Sequence, residues 1–348
     1  YNYIDILVWL SILALVLFKS SITYKFVRIG SLSLVLIQSV SILLMWYQAP
    51  KEPDWKAYDF STESNFIYST DKNVIILLLD TFQSDIFQEI INEDPSIKDL
   101  FDGFTYFRNA MGGFPTTYPS VPLILTGKYY DNSVPIQHFI KEAYSTSSLP
   151  LLLKKNNYQV DLFPLINQTI YLNEEIASNI VQDGRNNINI SNSLRELYNV
   201  TFFRYVPTYA KKYFYNQKVT STQFVDNVDN IDIDNITIAN KSIHDRDLNF
   251  IKTAIQESKA SIDKPTFKFF HLTGTHAPFQ INENLSYEDL PFDRNGYKMQ
   301  AKAALEITRR FLSSLKDIGV YDNSMIFVIG DHGIGTFGGT QGKDLISN

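Results

Sequence analysis

The chain is 348 residues long and 45% hydrophobic, which is enough to build one large domain or two ordinary ones with a filled core. Its formal net charge of −6, with no basic stripe, excludes a nucleic-acid-binding protein that works by neutralising phosphates. It contains no cysteine, so disulfides, thiolate zinc sites and cysteine nucleophiles are excluded as well.

Two apolar runs, residues 4–18 and about 29–47, lie near the start. The second, roughly 19 residues at ~1.5 Å each, is long enough to span a bilayer, and the first is marginal unless residues precede it. Lys19, Lys25 and Arg28 between them place this connection in the cytoplasm. We therefore predict a multi-pass cell-membrane protein in which everything after Tyr47 lies outside the cytoplasm. A pair of buried core helices is the alternative.

The predicted domains follow from these runs. Residues 1–47 form two transmembrane helices, residues 48–71 a polar linker, and residues 72–348 the main domain, with a divergent insert at about 165–240. Because the chain starts without methionine and stops soon after a motif that belongs inside a domain, we interpret it as truncated at both ends.

Short apolar runs alternate with helical stretches from residue 73 onward. Residues 73–79 are continuously apolar, as in a strand buried on both faces of a parallel sheet, and residues 84–91 can form the crossover helix. Further strands are predicted at 158–163, 266–272 and 324–329, and further helices at 148–156, 243–258 and 297–318. This alternation predicts an α/β sandwich around a mostly parallel central sheet, preceded by the transmembrane helices.

A helix start is predicted within residues 114–127. Thr116 and Thr117 stand just before Pro119, which the first turn of a helix tolerates, and an apolar run follows that ends at Gly127. This places a threonine hydroxyl at a helix N-terminus, where free N–H groups and the helix dipole favour an oxyanion such as phosphate or sulfate. A capped surface helix is the plainer alternative.

Four polar residues fall at or just past the ends of predicted strands: Asp80, His276, Asp331 and His332. Ligands of open parallel sheets bind at this edge. Carboxylates and imidazoles that converge with a threonine hydroxyl suit a divalent ion such as zinc, manganese, magnesium or calcium. Such an ion lowers the pKa of a hydroxyl and makes threonine a usable nucleophile. Taken singly, a helix cap at Asp80 and an ordinary turn at 331–333 remain alternatives.

The motifs and their order resemble the sulfatase-like branch of the alkaline phosphatase superfamily. Residues 73–81 resemble its opening strand and first metal-ligand segment, and residues 103–109 the segment before its nucleophile. Residues 117–127 are similar to the sulfatase nucleophile motif, a modified cysteine or serine followed by x-Pro-Ser-Arg and ending in Thr-Gly. Residues 273–279 and 330–333 resemble its later active-site segments. The resemblance implies an alkaline-phosphatase-like fold.

Three departures from the sulfatase pattern alter what the resemblance implies. Thr117 at the nucleophile position cannot be converted to formylglycine, Val121 replaces the motif arginine, and Thr81 replaces a second metal-binding aspartate. These changes resemble the membrane-bound lipoteichoic acid synthases and phosphoethanolamine transferases, whose threonine takes up a phospho-group from a lipid donor. The resemblance implies that His276 stabilises the oxyanion or protonates the leaving group. It also implies that the metal is held by Asp80, Thr117, Asp331 and His332.

The predicted function is a membrane-anchored, metal-dependent phosphoester transferase or hydrolase that acts outside the cytoplasm on a membrane lipid or cell-envelope glycan. A sulfuric ester hydrolase, which Thr117 and Val121 disfavour, is one alternative. The other is a catalytically inactive lipid-binding or regulatory protein. His138, His244 and His271 are interpreted as packing or surface residues.

Overall fold

The computed structural model describes residues 2–18, 20–48, 58–182 and 243–334, together with 198, 200, 201, 203–208 and 211. The chain divides into two units, one of residues 1–57 and 183–225 and the other of residues 58–182 and 226–348. Most of the predicted insert at 165–240 and the tail after residue 334 lie outside the described residues.

The first unit contains helices α1 (Asn2–Phe18) and α2 (Ser20–Gln48). Within α2, the 22 residues Tyr24–Met45 are long and apolar enough to cross a membrane, and none of that stretch is buried. The apolar part of α1, Ile4–Ala14, is shorter. One helix of the described chain therefore meets the criteria of length and hydropathy. The second of the two predicted crossings, and with it a multi-pass topology, stays a prediction.

The second unit is built on a four-stranded parallel sheet. Its strands are β3 (Asn73–Leu79), β4 (Gln159–Phe163), β7 (Thr266–Leu272) and β8 (Ser324–Gly330), in the order β4-β7-β3-β8. The ends of the strands agree with the predicted ones to within one residue. The predicted α/β fold with a mostly parallel central sheet is confirmed.

Two short strand pairs form separate two-stranded sheets. Strand β1 (Tyr58–Phe60) pairs antiparallel with β5 (Ile180–Gln182), and β2 (Ile67–Ser69) pairs parallel with β6 (Lys259–Ile262). Residues 58–71 thus differ from the predicted linker, because they contain β1 and β2. Strands of three residues are too short to show an apolar period, so the sequence gives no signal for them.

Helices cover both faces of the central sheet, and most of them were predicted. In chain order they are α3 (Ser84–Glu93), α4 (Thr117–Thr126), α5 (Ile136–Ser147), α6 (Leu149–Lys155), α7 (Asp245–Glu257) and α8 (Arg294–Asp317). Two 3₁₀ turns, Pro95–Phe101 and Asn167–Thr169, lie between them.

Alternate side chains of β3 pack against different sets of helices on the two faces of the sheet. Ile75, Leu77 and Leu79 pack in one core with α7 and α8, while Ile76 and Leu78 pack in another core with α4, α5 and α6. Each buried leucine or isoleucine contributes about 1.5–3 kcal/mol to stability. Asp80, directly after β3, is the next residue on the same side as Leu78. Its side chain therefore faces α4, which starts at Thr117.

Candidate active site

The register of three parallel strands brings the predicted ligands to one edge of the sheet. Leu78 of β3 lies opposite His271 of β7 and Ile329 of β8. Because side chains alternate along a strand, His271 faces the same side of the sheet as Leu78 and as Asp80, two residues later. The same alternation aims Asp331, two residues after Ile329, to that side.

Helix α4 presents Thr117 to the same edge. The helix begins where the backbone of Thr116 is still extended, and it ends at Gly127, whose φ of +67° is in the left-handed region and whose N–H donates to the Leu123 carbonyl at 2.8 Å. The Thr116 side chain makes no capping hydrogen bond within the described chain. The first-turn amides beside Thr117 are therefore left for an anion.

His332 joins the threonine to the carboxylates. Its Nε2 lies 3.1 Å from Thr117 Oγ1, 3.4 Å from Asp80 Oδ1 and 3.5 Å from Asp331 Oδ2. Its Nδ1 donates to the Gly333 carbonyl at 2.7 Å, so in the neutral ring Nε2 carries the lone pair. A backbone carbonyl on the far ring nitrogen is the usual arrangement of a metal-binding histidine.

A compact group of possible metal ligands lies beside this contact. Ligand atoms of Asp80, His271 and Asp331, all three buried, lie within 4.8 Å of one another. Asp80 Oδ1, Asp331 Oδ2 and both ring nitrogens of His271 have no hydrogen-bond partner among the described residues. Buried polar atoms without partners are costly, and a divalent cation would satisfy the two carboxylate oxygens and one of the two His271 nitrogens at once. The residues present therefore fit a metal ion.

The electrostatics of the group also suit a cation. Burial raises the pKa of Asp80 well above its ordinary value, and the neighbouring carboxylates of Asp331 and Asp247 raise it further, whereas a hydrogen bond with Thr117 opposes the rise. Burial lowers the pKa of His271 well below its ordinary value, so that imidazole is neutral, the form that binds metals. Positive charge among these groups would offset the cost of holding two carboxylates together.

The turn after β7 is held against Asp80 by backbone contacts. Gly274 has a φ of +58°, and a Cβ there would lie 2.8 Å from the backbone N and O of Asp80. Thr275 donates its N–H to the Asp80 carbonyl at 2.9 Å. The buried carboxylate of Asp247, in the first turn of α7, accepts the N–H groups of Thr273 at 2.9 Å and Gly274 at 2.8 Å. Asp247 thereby fixes the turn that touches the metal-ligand segment.

The structure brings together four of the five predicted site residues: Asp80, Thr117, Asp331 and His332. His276 is exposed, and its Nδ1 donates to the Ala277 carbonyl at 2.7 Å. Among the described residues it makes no hydrogen bond or ion pair with those four. Its catalytic role stays a prediction.

Sequence reasoning missed two residues of the site. His271 lies inside an apolar strand and was interpreted as a packing residue, yet the structure places it in the group of possible ligands. Once two parallel strands are aligned by their apolar runs, its side matches that of Asp80, and this signal could have found it. Asp247 was missed because its partners are backbone amides 26 and 27 residues away, which no local pattern reveals.

The comparison with protein families agrees with this arrangement. The family model described as Sulfatase matches residues 72–346, which is most of the chain and includes every residue of the site. The chain belongs to the sulfatase family. The resemblance drawn from the sequence motifs is thereby confirmed, and so, at the level of the family, is the predicted class of sulfatase-like hydrolase or transferase.

Individual proteins to which this chain is similar are more distant. The lipoteichoic acid synthase-like protein YvgJ of Bacillus subtilis is 33% identical over 92 residues, which cover 25% of this chain and 15% of YvgJ. The crystal structure of the lipoteichoic acid synthase LtaP from Listeria monocytogenes has a TM-score of 0.40 at 17% identity and covers 80% of this chain and 60% of LtaP. A Vibrio parahaemolyticus protein of the alkaline phosphatase superfamily has a TM-score of 0.38 at 15% identity, with 78% and 57% covered. The chain thus spans less than two thirds of these relatives.

Proposed function

We propose that this chain is a membrane-anchored, metal-dependent enzyme that transfers or hydrolyses a phosphoester outside the cytoplasm, with Thr117 as nucleophile. The observation that carries the proposal is the position of the Thr117 hydroxyl, 3.1 Å from His332 Nε2 at the start of α4. The sulfatase family supplies the coarser reaction class, the transfer or hydrolysis of phosphate or sulfate esters.

The metal would be held by Asp80, Asp331, His332 and Thr117, with His271 in the same group. A mixed set of carboxylate and imidazole ligands suits zinc or manganese better than calcium. When bound, the ion would supply positive charge that favours the ionised Thr117 hydroxyl and neutralises the oxygens of the ester.

The residues of the chain divide the remaining work. Thr117 loses its hydroxyl proton to solvent, and its Oγ1 forms a bond to phosphorus while the bond to the leaving oxygen breaks; the α4 amides hold the phosphoryl oxygens. His276, on the exposed turn beside the site, donates a proton to the leaving oxygen. An incoming hydroxyl then gives its proton to His276 and attacks phosphorus, and the bond to Thr117 Oγ1 breaks. If it belongs to an alcohol the enzyme is a transferase, and if it belongs to water the enzyme is a hydrolase.

Two residues favour phosphate over sulfate. Thr117 cannot become formylglycine, and Val121 is fully buried in the core under α4, where it offers no cation to a sulfate group. A sulfuric ester hydrolase is therefore the second candidate. An inactive protein is disfavoured because the ligand group keeps buried atoms that have no partner within the described part of the chain, an arrangement that costs stability without a bound ion.

The substrate and the location are inferred from other features of the chain. The helix Tyr24–Met45 supports attachment to a membrane by its length and hydropathy. Two of the relatives described above are named for lipoteichoic acid synthesis, which supports a membrane lipid or cell-envelope glycan as substrate. Lys25 and Arg28 at the start of that helix favour a cytoplasmic end there, which would place the catalytic unit outside the cytoplasm.

The test is made on the purified full chain in detergent. Bound metal is measured, and phosphodiesterase activity is compared with arylsulfatase activity for the wild type, Thr117→Ala and Thr117→Ser, with Thr116→Ala as the matched control. We expect phosphodiesterase turnover that Thr117→Ala abolishes and Thr116→Ala retains. Arylsulfatase turnover alone would favour the second candidate, and full activity in Thr117→Ala would exclude the nucleophile.

A further inference from the structure

An exposed loop precedes the helix of the proposed nucleophile. Every residue from 105 to 113 is exposed, among them the apolar side chains of Phe107 at 74% and Met111 at 90% exposure. A hydrogen bond from the Ala110 N–H to the Phe107 carbonyl, 3.3 Å long, closes a turn between them. Apolar side chains this accessible within one short turn are candidates for a binding surface rather than for a core.

A second segment contacts the C-terminal end of this loop. Tyr129, 64% exposed, stacks on Phe114 with the ring centroids 4.4 Å apart, which places the end of α4 against the end of the loop. We name Phe107, Met111 and Tyr129 together the apolar rim.

The apolar rim borders the active site. Gly112, next to Met111, packs on the backbone of the metal-ligand segment, since a Cβ there would lie 3.1 Å from the Asp331 carbonyl oxygen and 3.5 Å from the Cα of His332. Whatever the rim binds is therefore held beside the site.

Two basic residues lie next to rim residues in the sequence. Arg108 follows Phe107 and Lys128 precedes Tyr129, both are exposed, and the nearest acidic residues in the sequence are Asp102 and Asp131. Apolar tips next to basic side chains match the interface of an anionic bilayer, where apolar groups enter the boundary of the acyl chains and cations meet the lipid phosphates. Of the three rim residues only Tyr129 offers a hydrogen bond to a sugar, so a glycan fits the rim less well.

We propose that the apolar rim inserts into the headgroup layer of an anionic membrane and so presents the active site to esters at the bilayer surface. A membrane surface would thus be the partner of the proposed active site, and the biological role of this docking rests on the proposed function. The docking itself does not require turnover, so it can be measured independently.

The absence of cysteine makes the measurement clean, because one introduced cysteine is the only labelling site. Phe107→Cys, Met111→Cys and the control Met325→Cys, on β8 and 58% exposed, are each labelled with an environment-sensitive fluorophore. The full chain is reconstituted in vesicles of phosphatidylcholine and phosphatidylglycerol that contain lipids with a nitroxide on the acyl chain. We expect quenching and a blue shift at positions 107 and 111 and neither at 325.

Equal quenching at all three positions, or none at 107 and 111, would overturn the proposal. A shift at 107 and 111 on addition of soluble glycan, without quenching by the lipid, would overturn it in favour of a glycan site.

A second measurement concerns turnover. In the double variant Phe107→Ser and Met111→Ser, the ratio of turnover on a phospholipid in vesicles to turnover on a soluble phosphodiester should fall about tenfold, whereas Met325→Ser should keep the wild-type ratio. An unchanged ratio would count against the rim. If no variant, nor the wild type, turns over either substrate, the proposed function fails while the quenching result still decides the docking.

Discussion

Replacing Asp331 by asparagine should stabilise the metal-free protein and at the same time abolish its stabilisation by divalent metal. Asp331 Oδ1 accepts the N–H groups of Thr81 at 3.1 Å and His332 at 2.8 Å, and an amide oxygen can accept both. Oδ2 has no hydrogen-bond partner among the described residues. The substitution therefore keeps the local backbone contacts and removes one buried charge.

The expected gain follows from the distance between the charges. Ligand atoms of Asp80 and Asp331 lie within 4.8 Å, where two unit charges repel by ~3 kcal/mol at an effective dielectric constant of about 20. Asp80 can also escape this repulsion by binding a proton. At pH 7 the free-energy cost of protonating it is ~1.36 kcal/mol for each pH unit above its ordinary pKa of 3.8, or about 4 kcal/mol, and this is the upper limit of the destabilisation. The sign follows because a carboxylate whose pKa is raised by folding ionises more easily in the unfolded chain, so ionisation favours unfolding.

After allowance for the new buried amide N–H₂ group, we expect a net gain of about 2 kcal/mol in the free energy of unfolding. For a unit of this size it corresponds to a rise of ~4–8 °C in Tm. The wild type should in turn gain ~2.7 kcal/mol from metal at 100 times its Kd, and Asp331→Asn should gain almost none.

Thermal unfolding with EDTA and with added manganese or zinc checks this reversal. Asp331→Asn should unfold above the wild type in EDTA and below it with metal, while Asp322→Asn, an exposed carboxylate on the loop before β8, should follow the wild type in both. If Asp331→Asn is less stable than the wild type in EDTA, or gains as much as the wild type from metal, the reasoning about a buried carboxylate pair is refuted.

Three further predictions concern the supports of the site. Asp247→Asn should lose one of its two hydrogen bonds from backbone N–H groups, which lowers the free energy of unfolding by about 1–3 kcal/mol and also lowers turnover. Denaturant unfolding and steady-state kinetics measure the two effects, and wild-type values in both would contradict the prediction. Gly274→Ala should destabilise more than Gly319→Ala, because both have positive φ but a Cβ at 319 meets nothing within 4 Å; equal midpoints would refute the close approach. Lys268 Nζ lies 2.6 Å from Asp161 Oδ2, and both side chains are buried. Lys268→Met should therefore lower the free energy of unfolding by ~3–5 kcal/mol, because it leaves a buried carboxylate unpaired, and the double variant Lys268→Met with Asp161→Leu should lower it much less. Equal losses in denaturant unfolding of the two variants would contradict this coupling.

The central sheet could be predicted because its strands are buried on both faces. Continuous apolar runs such as residues 73–79 mark such strands without reference to the rest of the fold. The pairs formed by Tyr58–Phe60 and Ile67–Ser69 could not, since their pairing depends on partners more than 100 residues away.

The site was predictable where it follows strand ends and helix starts. Asp80 and Asp331 come directly after apolar strands, and Thr117 starts α4 as its neighbours Thr116 and Pro119 indicate. Site residues that lie inside a strand or helix were not predictable in this way. His271 within β7 joins the site through the register of neighbouring strands, and Asp247 in α7 joins it through a tertiary contact.

The proposed mechanism depends most directly on which hydroxyl forms the covalent intermediate. Wild-type full-length protein is incubated with a phospholipid donor in vesicles with manganese, quenched in acid and digested, and the peptide around residues 103–128 is sequenced by mass spectrometry. Thr117, which faces His332, should carry a phospho-adduct that contains the head group of the donor, and Thr117→Ala should carry none. An adduct on Thr116, or turnover by the Thr117→Ala variant without any adduct, would contradict the account.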